Sequence, residues 1–310
     1  MEIAINAALT IVGIAMLCFG GNWLVSGGVA ISKKLGISKL IIGMTVIAYG
    51  TSTPELAASI RAAGEHSQII LGNVIGSNIA NVGMVIGIAA IIAPLVVSKT
   101  TIRKEVPIMI GVSLLLIALS LDGEISLYDG ILLIGSLIIF TVYTFKDAKK
   151  QRIENKDESV QKKNVYARSF GLIAVGIVLL YVGAVLTVDN AIILAQSFGL
   201  SEKIIGITVI AIGTSLPELI TSVIAIRRGH TDIGIGNIIG SNIYNILMIM
   251  GIGAAIGGVV VVADTFIDYA VMIGFSLVLF IAIKTGLISR TIGIGLVSAY
   301  LIYLAITVFV

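Results

Sequence analysis

Two glutamates, Glu55 and Glu218, stand in nearly identical settings, GTSTPEL over residues 50–56 and GTSLPEL over 213–219. Each follows a pair of hydroxyls, Thr51 and Ser52 or Thr214 and Ser215, and each comes directly after a proline, Pro54 or Pro217. A second pair of motifs lies one segment further on, GNVIGSNIAN over 72–81 and GNIIGSNIYN over 236–245. It supplies Asn73, Ser77 and Asn81, then Asn237, Ser241 and Asn245, spaced i, i+4, i+8 as one polar stripe along a helix. The donors are carboxylates, hydroxyls and amides, with no histidine or cysteine among them. Such an all-oxygen set suits Ca²⁺, which takes 6–8 ligands at about 2.3–2.6 Å, and parts of it suit Na⁺; it does not suit zinc or copper. Two carboxylates also neutralise one divalent ion.

The prolines bear on how these groups are presented. Pro54 cannot donate to the carbonyl of Gly50, nor Pro217 to that of Gly213, so each helix is expected to break just before its proline. Main-chain carbonyls near Ala48 and Ala211 are then able to turn inward, which an apolar medium tolerates only where protein or a water-filled cavity surrounds them. A local reading competes: Ser52-x-x-Glu55 and Ser215-x-x-Glu218 have the pattern of a capping box. It explains the spacing, but not two acids about twelve residues inside apolar segments, where ionisable groups are costly. The stripes have their own competitor, since small and amide residues also hold membrane helices together.

The elements that must position these groups are apolar helices. Of 310 residues, 57% are hydrophobic and 12% charged, about half the ~25% of a soluble domain. Runs such as VPIMIGVSLLLIALSL (106–121) and AVMIGFSLVLFIAI (270–283) suit spans of about 20 residues across ~30 Å of hydrocarbon. Strand-like alternation is absent, so an all-α membrane protein is expected. The single cysteine, Cys18, excludes an internal disulfide and a thiolate metal cluster, and its apolar run predicts a packed side chain. The start, MEIAINAALTIVG, has an acid and no basic region, which predicts a retained span rather than a cleaved leader. His66 and His230 fall in polar loops and are expected to be solvated. No HExxH, nucleophile–base pair or nucleotide loop is present, so neither an enzyme nor a resident cofactor is indicated.

Polar clusters divide the chain into ten segments, at 3–28, 40–62, 68–94, 105–121, 128–145, 169–189, 204–226, 233–262, 266–283 and 288–309. With both termini outside, the inner loops hold 18 of the 20 Lys and Arg and the outer side only Arg61 and Lys203, in line with the positive-inside rule. Asp264 and Asp268 then read as outer-loop charges. The polar stretch 146–168 reads as a cytoplasmic linker between an amino-terminal unit, 1–145, and a carboxy-terminal one, 169–310. These boundaries place the protein in the cell membrane, with the lipid bilayer as its partner; neither a nucleic acid nor an obligate protein partner is indicated.

The two units are copies. At a shift of 163 residues, GMTVIAYGTSTPEL (43–56) and GITVIAIGTSLPEL (206–219) agree at 11 of 14 positions; at 164, GNVIGSNIAN and GNIIGSNIYN agree at 8 of 10. Each copy holds five segments, and an odd number sends the second copy into the membrane from the opposite side. Inverted repeats with interrupted helices point to a midplane site in a secondary transporter.

The paired GTSTPEL and GTSLPEL, each followed by GN-x-x-GSN, resemble the alpha-repeats of the calcium/cation antiporter superfamily, most closely its prokaryotic sodium/calcium exchangers. The resemblance implies a ten-helix antiporter whose second, third, seventh and eighth spans form the ion-binding core while the first and sixth slide across it. It implies Glu55 and Glu218 as shared carboxylates, oxygens from Thr51, Ser52, Thr214 and Ser215, and the carbonyls of Ala48 and Ala211. Ser77, Asn81, Ser241 and Asn245 complete the sites. The sodium/calcium branch commonly has an aspartate where this chain has Asn245, and proton-coupled calcium exchangers more often have an amide there. Na⁺/Ca²⁺ exchange is therefore the expected activity, with H⁺/Ca²⁺ exchange the alternative and a calcium channel a more distant one.

Overall fold

A computed structural model of the chain describes residues 2–63, 67–98, 101–154, 164–199, 211–280 and 285–309. His66 and Lys203 lie outside the described residues. The architecture is all-helical, and among the described residues six helices are long and apolar enough to cross a membrane: 3–35, 67–92, 127–150, 166–197, 231–257 and 290–307. Helix Val106–Leu119 and helix Thr265–Val278 are shorter, and the two GTS-x-PEL segments are broken helices.

Burial sorts these elements into a centre and a rim. The most apolar stretches of Ser67–Ile92 and Thr231–Gly257 are 78% and 89% buried, whereas those of the equally apolar 3–35, 127–150 and 290–307 are 22% buried. The helices that hold the Asn and Ser stripes, not the most apolar ones, are therefore the most enclosed. In a membrane protein that inversion is expected, because lipid is as good a solvent for leucine as the interior is, and only polar groups need protein around them.

The two longest helices, Glu2–Leu35 and Asn164–Ser197, lie antiparallel against each other. Small residues set their separation: a Cβ at Gly20 would fall 2.9 Å from the Gly176 carbonyl oxygen, and one at Gly183 would fall 2.8 Å from that of Gly13. Backbones that close leave no space for a side chain, hence glycine on both helices. Two short antiparallel ladders tie the halves together: Leu95 and Val96 pair with Ile288 and Leu287, and Glu124 and Ile125 pair with Val260 and Val259. Both sets of contacts are exchanged by the repeat shift, Leu95–Ile288 mapping onto Val259–Ile125. The same shift maps Gly13–Gly183 onto Gly176–Gly20.

Several expectations need correction. Cys18 is exposed on the outer face of its helix rather than packed, since one face of this rim helix meets lipid. The helix beginning at Leu127 runs to Glu154 and the next begins at Asn164, so both reach into the stretch read as a linker. His230 is not a free surface histidine: the Lys39 ammonium lies 3.0 Å from its Nδ1. Burial, then the charges of Lys39 and Lys33, push this imidazole below its usual range. Asp268 is helical and half-buried and accepts a 2.9 Å hydrogen bond from the Tyr303 hydroxyl, whereas Asp264 is exposed.

Candidate ion site

Each broken helix pauses for a single residue. Ser52 (φ −81°, ψ 5°) separates Ala48–Thr51 from Thr53–Ala62, and Ser215 (φ −89°, ψ 3°) separates Ala211–Thr214 from Leu216–Arg227. Pro54 and Pro217 occupy the first turn after the pause, where a missing N–H costs nothing. Glu55 and Glu218 share that turn, where unsatisfied N–H groups favour a carboxylate. The capping boxes do not form: neither serine side chain caps the helix it precedes. Ser52 Oγ instead reaches across the repeats to Glu218 Oε1 at 3.2 Å, because a hydrogen bond to a buried carboxylate is stronger than one to a neutral acceptor. The Ala48 carbonyl accepts from the Ser52 amide (2.9 Å) and the Thr51 hydroxyl (3.2 Å).

Glu55 is 1% exposed and Glu218 not at all, and their carboxyl groups are direct neighbours. No Lys, Arg or His forms an ion pair with either among the described residues. Glu218 Oε1 also accepts from Ser241 Oγ at 3.4 Å, and Thr51 Oγ1 donates to Asn237 Oδ1 at 3.0 Å. Buried side-chain oxygens with no hydrogen-bond partner among the described residues are Glu55 Oε2, Glu218 Oε2, Ser77 Oγ, Ser215 Oγ, Asn81 Oδ1 and Asn245 Oδ1, with Thr221 Oγ1 apart from them against Gly21. Buried polar atoms in native proteins are nearly all satisfied. Six such oxygens on the broken helices and the helices that follow them, two on carboxylates, have the chemistry that can bind a cation. Among the described residues no three His, Cys, Asp or Glu side chains cluster as a metal site, so neutral oxygens must supply most of any coordination shell.

The helices after the breaks aim their amides by widening. Asn81 opens a π-helical stretch to Ile86, and Asn245 opens its counterpart to Met250. Such wide turns inside an α-helix frequently mark functional positions, since the extra residue per turn re-aims a side chain.

Of the residues expected at the site, Glu55, Glu218, Thr51, Ser52 and Ser241 are buried in or beside one hydrogen-bonded cluster, and Ser77, Ser215, Asn81 and Asn245 contribute oxygens without partners. Thr214 is half-buried, and Ala211 opens its short helix. Asn73 and Asn237 donate to Ser59 (3.2 Å) and Ser222 (2.9 Å), serines that the sequence reading did not single out. Asn78 and Asn242 were also overlooked. The signal was there: each is the Asn of a GSN motif and precedes Asn81 or Asn245 by three residues, on the same helix face.

Residues 5–146 and 168–309 both match the family model described as sodium/calcium exchanger protein. Inner membrane protein YrbG of Escherichia coli (strain K12) is 34% identical, over 96% of this chain and 95% of its own. The sodium/calcium exchanger MaX1 of Methanosarcina acetivorans is 31% identical, over 99% of this chain and 100% of its own. Among solved structures, the sodium-calcium exchanger NCX_Mj soaked with Na⁺ and Sr²⁺ aligns with a TM-score of 0.86 at 32% identity, over 98% of this chain and 99% of that one.

Proposed function

The chain belongs to the sodium/calcium exchanger protein family, a family of transporters rather than enzymes, and we propose that it is a secondary antiporter exchanging Na⁺ for Ca²⁺ at one buried oxygen site. The carrying observation is the set of partnerless oxygens around the Glu55–Glu218 pair. Two carboxylates balance one Ca²⁺. When Na⁺ replaces it, the same carboxylates are shared among monovalent ions, and the hydroxyl and amide oxygens of Ser77, Ser241, Asn81 and Asn245 complete their shells. Thr51, Ser52, Thr214, Ser215 and the carbonyls of Ala48 and Ala211 are further ligands in this reading.

Ten helical spans form two inverted five-helix repeats, with both ends outside and the central loop on the cytoplasmic side of the cell membrane. Support comes from the distribution of Lys and Arg and from the ladders and glycine contacts that the repeat shift exchanges. Helices Glu2–Leu35 and Asn164–Ser197 slide as a pair along the broken segments, and glycine at their crossing keeps that pair thin.

Sidedness also bears on the packing. The Glu218 side of the site, which faces the cytoplasm in this topology, is closed by hydrogen bonds and buried glycines, whereas Gly72 and Asn73 on the outer side are exposed and half-buried. Both carboxylates stay enclosed, and the packing described is tighter on the cytoplasmic side.

Na⁺ rather than H⁺ as the coupling ion is supported by the family and by the sodium/calcium exchangers that the chain resembles over nearly its whole length. The test is calcium uptake into vesicles containing the purified protein, under an imposed Na⁺ gradient or an imposed pH gradient. Uptake driven by Na⁺, competed by Na⁺ on the same side and altered by membrane potential is expected for three or more Na⁺ per Ca²⁺. Sustained, voltage-insensitive uptake in sodium-free medium would establish proton coupling instead.

A further inference from the structure

An asparagine carboxamide has a donor end and an acceptor end, and only Oδ1 binds a cation. Something must decide which end of Asn81 and Asn245 faces the carboxylates, and the answer lies one hydrogen bond further out. Asn245 Nδ2 donates to Asn78 Oδ1 at 3.0 Å. Asn78 Nδ2 in turn donates to the Asn242 main-chain oxygen at 3.3 Å and to Met272 Sδ at 3.8 Å. A carbonyl and a thioether accept hydrogen bonds and never donate them. Asn78 therefore has to point its NH₂ at them, its oxygen faces Asn245, and Asn245 gives up its NH₂ to that oxygen. What remains is Asn245 Oδ1, buried and without a partner.

The other half repeats the arrangement. Asn81 Nδ2 donates to Asn242 Oδ1 at 2.9 Å, Asn242 Nδ2 donates to Met109 Sδ at 3.5 Å, and Asn81 Oδ1 is left buried and partnerless. A shift of 164 carries Asn78 to Asn242 and Asn81 to Asn245, and one of 163 carries Met109 to Met272. Two chains of three residues thus cross between the repeats, each starting at a sulfur that only accepts and ending at an oxygen without a partner.

We propose that Asn78 and Asn242 are positioning residues that orient the Asn245 and Asn81 carboxamides so that each presents Oδ1, not Nδ2, to the ion. The proposal rests on the reading of Asn81 and Asn245 as cation ligands. It also explains why amides suit these positions here. A carboxylate at 245 would set an oxygen against Asn78 Oδ1 unless Asn78 turned round and abandoned Met272. The relay is matched to a neutral ligand and leaves the fixed charge of the core on Glu55 and Glu218.

A carboxylate has oxygen at both ends and needs no orienting, which supplies the test. Equilibrium ⁴⁵Ca²⁺ binding to the purified full-length protein is measured for the wild type, Asn78→Leu, Asn245→Asp and the double variant. Asn78→Leu is expected to weaken binding about tenfold in the wild type, the size of one hydrogen bond to a charged group, and less than about twofold in the Asn245→Asp background. Equal losses in both backgrounds would make Asn78 a packing residue and overturn the proposal, as would no loss in either. Should Asn78→Leu fail to fold, the other chain decides by the same cycle: Met109→Leu conserves volume and is expected to weaken binding about threefold alone and not at all with Asn81→Asp. An Asn245→Ala protein that binds Ca²⁺ as tightly as the wild type would show separately that the ligand reading itself is wrong.

Discussion

The Glu55 half and the Glu218 half are built from the same residues and are bonded differently. Glu218 accepts from Ser52 and Ser241, and Thr51 ties that cluster to Asn237. The corresponding hydroxyls on the other side, Ser215 and Ser77, have no partner, whereas the carboxylates are alike in leaving one oxygen each, Glu55 Oε2 and Glu218 Oε2, without one. Asn237 is fully buried, and Gly236 and Gly240 lie so close to helix Lys39–Thr51 that a Cβ at either would sit 2.5 Å from the Leu40 or Met44 carbonyl oxygen. Gly72 is exposed and Gly76 and Asn73 are half-buried, while residues 203–207, the counterpart of Leu40–Met44, lie outside the described residues. Equal sequences in unequal conformations are what alternating access requires, because exchanging the two conformations between the halves opens the site to the other side at little net cost.

The largest expected effect tests whether that inequality is a phase of the cycle or a permanent division of labour. Glu55→Gln and Glu218→Gln should each reduce Na⁺-dependent ⁴⁵Ca²⁺ uptake more than about a hundredfold at matched protein level, since removing one partner of a buried charge cluster costs ~3 kcal/mol or more. Near-normal exchange in either variant would make the halves functionally distinct and break the comparison.

Packing supplies the next test. Gly240→Ala places a methyl against backbone and should destabilise the protein by about 1–3 kcal/mol. Gly72→Ala, in an exposed helical position, should stabilise it by about 0.5–1 kcal/mol while slowing transport, because the opposite state needs Gly72 as closely packed as Gly236 is here. Thermal unfolding by tryptophan fluorescence, read beside uptake, separates the two outcomes; equal destabilisation by both variants would contradict the asymmetry.

Accessibility sharpens it further. In a Cys18→Ser background, Asn73→Cys should react with an impermeant thiol reagent added outside while Asn237→Cys stays protected. Lys149→Cys, on an exposed position late in helix Leu127–Glu154, should react only from the cytoplasm. Labelling of Lys149→Cys from outside would reverse the topology and with it the side on which Glu218 lies.

The smallest effects belong to the rim. Asp264→Asn should leave transport within about twofold, a surface change away from any buried network. Asp268→Asn weakens the bond from Tyr303 and should cost about 1 kcal/mol of stability with transport nearly unchanged. A transport defect in either would extend the site well beyond the Glu55–Glu218 core.

Much of the candidate site was legible before the fold, and for a definite reason. Carboxylates, hydroxyls and amides are so costly in an apolar chain that their positions alone mark where protein must surround them. The repeat then doubled each signal, so that Glu55 pointed to Glu218 and Asn81 to Asn245. What escaped notice were groups whose role is relational. Ser59 and Ser222 look like ordinary small helix residues until Asn73 and Asn237 are seen to donate to them. Met109 and Met272 read as filler in apolar runs until each is found at the end of an amide relay. The capping box failed for the same reason: a local partner for Ser52 was foreseeable, and a better one on a helix 166 residues away was not.

By itself, the amino-acid order determined that the chain is helical and membrane-embedded, that it is a duplication, and that its oxygen-bearing side chains gather around two acids. Composition, periodicity and repeated motifs are sums over neighbours along the chain, and those properties need nothing else. Only the tertiary structure decided which carboxylate accepts from Ser52 and Ser241, which oxygens are left without partners and which end of each amide is bonded. Both halves have the same residues, so no property of either segment alone distinguishes them; the asymmetry arises when two nearly equal sets of donors and acceptors meet across a core whose acceptors cannot all be satisfied at once.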